Sequence, residues 1–196
     1  MPLTSSACYE LLTRHYAERF DQLCTQLRED MRAHLLHTEG VVSVCLEILS
    51  ALPPRSRLLV DPELLNAAAI LHDVAKFDDK DDHHKRAESV ILKNRALWGE
   101  DVDDEDIEAL GSIIRAHKGK FKPDVDYACE AAILRMADKI DMLRRGKDRQ
   151  NKYEEGIDKI QTYFRKHFED DSEEAQFLSD FLKAVRALPD CGTNDV

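Results

Sequence analysis

Apolar side chains recur at spacings of three and four residues along almost the whole of this 196-residue chain, and only seven glycines and six prolines interrupt them. That rhythm is the period of an α-helix, and no run of alternating β-branched residues competes with it. The sequence therefore predicts an all-α fold. A chain of 196 residues can bury one sizeable core, and nothing in it demands a second.

The helix ends can be read from local chemistry. Ser5 or Ser6 can cap a first helix over Ala7 to Arg28, with Leu12, Tyr16, Phe20, Leu23 and Leu27 as its apolar stripe. A second helix runs from Met31 to Leu52, where Pro53-Pro54 stops it. Asp61-Pro62 marks a strong helix start, and the helix it opens carries Ala67 to Ala75. Phe77 to Asp82 reads as an acidic loop, with Asp82 capping a helix through Asn94. Gly99 to Asp106 reads as a solvated acidic lead into a helix over Asp104 to Ala116. Three more helices are predicted over Tyr127 to Arg145, Lys152 to Phe168 and Glu173 to Leu188, followed by a frayed tail, Asp190 to Val196.

Charge narrows the partners. With 28 Lys and Arg against 39 Asp and Glu, the formal charge of -11 repels polymeric nucleic acid and anionic membranes at long range. A small phosphorylated substrate is compatible with that balance, because bound cations and a few local Lys or Arg can reverse the field inside one cleft. Cys8, Cys24, Cys45, Cys129 and Cys191 lack the paired spacing of a zinc ribbon or a disulfide framework and read as reduced thiols. Met1 to Asp21 has no continuous apolar run, so neither a signal peptide nor a membrane span is expected there, and the cytoplasm is the expected compartment. The sequence leaves homo-oligomer formation open.

The run Ala67-Ala68-Ala69-Ile70-Leu71-His72-Asp73-Val74-Ala75-Lys76 delivers an imidazole and a carboxylate at the end of an apolar helix. Neighbours on a helix point about 100° apart, so a single ion could touch both only near the helix end, with Asp73 bridging toward a second ion. One metal or two are both permitted. His37 lies on the face of Val41, Val44 and Ile48; His117 follows Leu110, Ile113 and Ile114; Asp138 shares a face with Leu134. A histidine beside an apolar stripe is ordinarily a core residue, and it is the joint occurrence on separate helices that points to a metal site. A buried carboxylate such as Asp138 needs a cation, a donor or a proton.

The ordered set His37, His72-Asp73, His83 or His84, His117 and Asp138 resembles the HD-domain superfamily of metal-dependent phosphohydrolases. The resemblance covers roughly residues 30–146 and rests on Ile-Leu-His-Asp-Val-Ala-Lys, the His37-Thr-Glu-Gly-Val41 spacing and the late Ala-Asp-Lys-Ile-Asp run. It implies a helical bundle of the HD type, with residues 1–29 packing on the core and residues 147–189 completing the same domain. His37, His72, Asp73 and Asp138 would be the basic metal ligands, with Asp73 the bridging group if two ions bind. His117 and His83 would form a second site; His84 is the alternative to His83, whose spacing to Ala87 resembles the family's helix start. Ala75-Lys76-Phe77 stands where members that cleave guanosine tetraphosphate carry Glu-Asp, and no Gly-Tyr-Pro follows His117 as in cyclic-dinucleotide phosphodiesterases. The second-site histidine pair resembles the branch that hydrolyses dinucleoside tetraphosphates, without a motif that fixes the substrate.

Ligands of this kind suit one or two divalent ions, Fe, Mn, Co, Ni, Zn or, more weakly, Mg, which would activate water against a phosphate ester. Lys76 could stabilise charge on the phosphoryl oxygens or instead pair with the Asp78 to Asp82 loop. Arg86 and Lys118 follow candidate ligands and are secondary phosphate-binding candidates, with a solvated surface role as the simpler expectation for each, and Asp141 is placed to orient a ligand rather than bind metal. The competing expectation is a noncatalytic helical interaction module with at most a structural metal. It would present Tyr163, Phe164, Phe168, Phe177, Phe181 and Leu182 to a partner or a second copy, although the simplest expectation for those residues is core packing.

Overall fold

The structure, a computed structural model, describes residues 4–20, 25–98, 102–147 and 149–188. Among them are nine α-helices and no strand: α1 (Ser5–Phe20), α2 (Thr25–Ala51), α3 (Pro54–Arg57), α4 (Pro62–Leu71), α5 (His83–Lys93), α6 (Asp104–Ala116), α7 (Ala128–Arg144), α8 (Gln150–His167) and α9 (Glu173–Ala187). No helix among the described residues is long and apolar enough to cross a membrane. Gly99 to Asp101, the tail from Asp190, and the side chains of Phe20, Leu23 and Leu27 lie outside the described residues, as do Cys24 and Cys191.

Side-chain caps set several of these ends. Asp61 accepts the amides of Glu63 (2.9 Å) and Leu64 (3.0 Å), with Pro62 at the first helical position of α4. Asp103 and Asp106 form a reciprocal capping box on α6, and Ser172 caps α9. Elsewhere the expectation is corrected. Thr4, not Ser5 or Ser6, accepts a free amide at the start of α1, that of Ala7. Asp82 occupies the cap position of α5 but bonds Lys85 instead, while the Asp79 carboxylate takes the amides of Asp81 and Asp82.

Two boundaries also move. Thr25 opens α2, so Thr25 to Arg28 belong to the second helix rather than the first; the apolar period runs through that region in the sequence without a glycine or proline to mark it. The helix carrying Ala67 ends at Leu71, and the chain continues to Asp78 as tighter turns, with Val74 N to Leu71 O at 3.0 Å and Lys76 N to Asp73 O at 2.9 Å. Pro54 starts the short α3, which periodicity is too coarse to show.

One continuous cluster of buried side chains runs from Cys8 to Val185. Helices α2 and α7 lie along one another and α4 packs on both, its Ala67, Ala68 and Ala69 fully buried; α1 covers α4, α5 rests on α6, and α8 and α9 pack on α7. Small alanines on α4 and α7 allow close helix approach, which brings the helix ends bearing polar side chains together. Phe164, Phe177 and Phe181 are at most 1% exposed and stacked in series, with Tyr163 and Leu182 also buried and Phe168 packed against them. Those aromatics are core, so the surface that an interaction module would have used is not presented. Cys8, Cys45 and Cys129 are buried free thiols whose pKa values burial raises, to about 12 for Cys8.

The loop after α6 is held by polar ties from inside the core. Buried Arg135 donates to Ala116 O (2.7 Å) and Gly119 O (3.0 Å), Asp124 N donates to Ser112 Oγ (2.8 Å), and Tyr163 Oη donates to Pro123 O (2.8 Å). Each satisfies a main-chain group that burial would otherwise make costly.

Glu130 on α7 is buried and accepts the Asp61 amide at 2.7 Å, with its second oxygen unpartnered. Burial pushes its carboxyl from 4.5 up to about 7. Between those values the folded protein keeps a proton that the unfolded chain has released, so this group favours the folded state below 4.5. Its contribution weakens by about 1.4 kcal/mol per pH unit as pH rises toward 7. Glu130→Gln keeps the acceptor and cannot ionise, so its urea midpoint should fall less than wild type between about pH 5 and pH 8. Equal pH dependence in the two proteins would contradict this account.

Candidate metal centre

Helix ends deliver most of the ligand-type side chains. His72 and His117 are the C-caps of α4 and α6, His83 is the first residue of α5, and Asp73 sits in the tight turn after α4; only His37 on α2 and Asp138 on α7 come from helix interiors. A place at a helix end explains how three imidazoles are oriented. Nδ1 of His72 lies 2.7 Å from Ala69 O, that of His117 2.6 Å from Ile114 O, and that of His83 2.9 Å from Lys80 O. A carbonyl only accepts, so each Nδ1 carries a proton, and in a neutral ring Nε2 is then left with its lone pair facing inward. Burial lowers the pKa of His72 and, further, of His117, which keeps those rings neutral.

The six side chains form two groups. His37, His72 and Asp138 make one; Asp73, His83 and His117 make the other; in each, the donor atoms lie within 4.8 Å of one another. Asp73 stands between them. Its Oδ1 is 2.8 Å from His83 Nε2 and 3.9 Å from His117 Nε2, whereas its Oδ2 is 3.7 Å from His72 Nε2. The tightened turn after Leu71 is what lets the His72 ring and the Asp73 carboxylate converge, where a regular helix would splay them.

Two observations test whether a divalent ion fits. His72 Nε2 is buried without a hydrogen-bond partner, and His83 Nε2 meets only the Asp73 carboxylate, at 2.8 Å; a cation between such donors relieves the cost of burying them. The donors are imidazole nitrogens and carboxylate oxygens with no thiolate, and three of them around an ion at about 2.1 Å need only a small inward movement from the distances seen. The residues fit.

Charge inside the cluster is balanced locally. Burial would lower the pKa of His37, but hydrogen bonds to Asp138 and Asp141 raise it to about 9. Burial would likewise raise Asp73 and Asp138; the imidazoles and Lys76 hold Asp73 well below the usual carboxylate range, and Lys139 with His37 does the same for Asp138. Asp141, one turn beyond Asp138, grips His37 Nδ1 at 2.6 Å and is itself fixed by Arg145 Nε at 2.6 Å. Arg145 also reaches Leu36 O, tying α7 back to α2. Gly40 makes that approach possible, since a Cβ there would collide with the Asp141 carboxylate.

Above the two groups opens a cleft of about 1280 Å³. Lys76 lines it and pairs with Asp73 at 3.4 Å, not with the acidic loop that follows. Lys118 lines it too, donating to Lys80 O and Asp81 O and so pinning the turn before His83. Arg86 does not line the cleft; it pairs with Asp79 at 3.0 Å. His84 borders the cleft but belongs to neither group. His34, which the motif reading passed over, has Nδ1 3.6 Å from Asp73 Oδ2 and a ring edge-on to Phe77. Its position three residues before His37, on the same face of α2, was the available signal.

Fold and site together define a helical bundle with paired histidine-aspartate groups under one cleft. The family model described as HD domain matches residues 35–143, and the chain belongs to the HD domain family. No curated protein and no solved structure matches it significantly.

If Asp141 orients His37, Asp141→Ala should weaken metal binding by about 10 to 100-fold in competition with a fluorescent chelator, with helical content unchanged. Gly40→Ala, which displaces the same carboxylate, should act in the same direction. Unchanged affinity in both would remove Asp141 from the site.

Proposed function

We propose that the chain hydrolyses a small phosphate ester, a nucleotide or another phosphorylated metabolite, using divalent ions held by His37, His72, Asp73, His83, His117 and Asp138. The observation that carries this reading is the pair of donor groups with one Asp73 oxygen toward each, and a buried His72 Nε2 among them that has no hydrogen-bond partner. Such ions supply activation of water near neutral pH and neutralisation of charge on phosphoryl oxygens, and Fe, Mn, Co, Ni, Zn or Mg would suit the donors.

The chain's own residues supply the rest. Asp73 joins the two groups, and Asp141 fixes the His37 ring. Lys76 and Lys139, paired with Asp73 and Asp138, can turn their ammonium groups toward phosphoryl oxygens, where negative charge grows as water adds to phosphorus and the ester P–O bond breaks. The departing oxygen takes up a proton, and the products are an alcohol and a phosphate.

A panel of phosphate esters assayed with each divalent ion tests this directly. Wild type should release phosphate in a metal-dependent way, the His72→Ala, Asp73→Ala double variant should lose about 10³-fold or more, and Lys76→Ala about 10² to 10³-fold in kcat. Absence of metal-stimulated release from every ester, or full activity in the double variant, would contradict the proposal.

A further inference from the structure

Half of the chain's 28 lysines and arginines line this one cleft, against six acidic side chains among the described residues, in a protein whose formal charge is -11. A cleft so enriched in one sign focuses the field and draws in the opposite charge. Single phosphoryl groups do not need a wall of this extent. Asp138 and Arg145 both line it, and they are separated by two turns of α7, about 10 Å along the axis, with Lys147, Arg149 and Lys152 continuing beyond.

Several of these bases are already engaged within the protein. Lys159 donates to Gly119 O and Glu155, Lys152 pairs with the same Glu155, and Lys118 holds the Lys80 and Asp81 carbonyls. By contrast Lys80, Lys120, Lys122, Lys147 and Arg149 are exposed and make no ion pair among the described residues. They are the cations left to meet a ligand. Other than imidazoles, no aromatic ring lines the cleft among the described residues, so it offers no stacking platform for a base. Among the described residues, Ala33 and Met142 are the aliphatic side chains in its lining.

We propose that the substrate carries several phosphoryl groups and is recognised through them rather than through a base. One group would lie at the paired histidine-aspartate site and the others along the wall made by Lys120, Lys122, Lys147 and Arg149. This rests on the hydrolase reading for the reacting end, whereas the wall itself is a binding site with or without turnover. Short single-stranded nucleic acid is the competing polyanion, and the missing stacking rings count against it.

Calorimetric titration of the full chain, in excess magnesium so that chelation does not strip the site, tests the proposal with inorganic tripolyphosphate, orthophosphate and a short oligothymidylate. Tripolyphosphate should bind at least about tenfold more tightly than orthophosphate, with a steeper salt dependence. The Lys120→Ala, Lys122→Ala, Arg149→Ala variant should lose that advantage while retaining wild-type helical content and metal content. Equal affinity for the two phosphates, or a variant that keeps the advantage, would overturn the proposal. Oligothymidylate binding as tight as tripolyphosphate would also overturn it and assign the wall to single strands. Hydrolysis of singly phosphorylated esters without a tripolyphosphate preference would sink this inference and leave the hydrolase standing; the preference without any ester hydrolysis would do the reverse.

Discussion

Three histidines are held by the same bond: a ring Nδ1–H donated to a main-chain carbonyl three residues earlier in the chain. Each bond satisfies a carbonyl at a helix end or turn and at the same time fixes which nitrogen is free. Everything at the site depends on that choice. With Nδ1 occupied, three Nε2 atoms converge near Asp73, and His72 Nε2 is buried there without a hydrogen-bond partner.

The bundle brings those helix ends to one place. Alanine-rich α4 lets α2 and α7 approach, so that His37 and Asp138 come within 3.2 Å across the interface, and Gly40 gives Asp141 room beneath them. Arg135 uses its buried guanidinium to fix the loop after His117, which also carries Lys118, Lys120 and Lys122 into the cleft. Thus a protein of net negative charge has a concentrated positive interior face, and its acids are left largely to the outer surface.

Much of this was legible in the sequence because it is local. The period of three and four residues located α6 to α9 to within about two residues at each end, and Asp61-Pro62 marked the start of α4. The order of His37, His72-Asp73, His117 and Asp138 anticipated the cluster. What stayed hidden depended on tertiary contact or on tightening of a turn. Periodicity could not see where α2 begins, since apolar spacing continues through it. Nor could it show α4 ending at Leu71, where bonds spanning three residues replace the helical pattern. His83 and His84 are indistinguishable by type and neighbourhood; only the fold turns His83 toward Asp73. His34 and the basic wall gain meaning from helices distant in sequence, and only the fold shows Arg86 beside Asp79 and outside the cleft lining.

The most direct measurement is the metal-to-protein ratio by elemental analysis, on tag-free protein purified without chelator and supplemented with divalent ions. The two groups are built from separate residues, so wild type should carry close to two ions per chain and His83→Ala close to one. His72→Ala should lose the ion of the other group. No bound metal in wild type after supplementation, or the same ratio in all three proteins, would contradict the account.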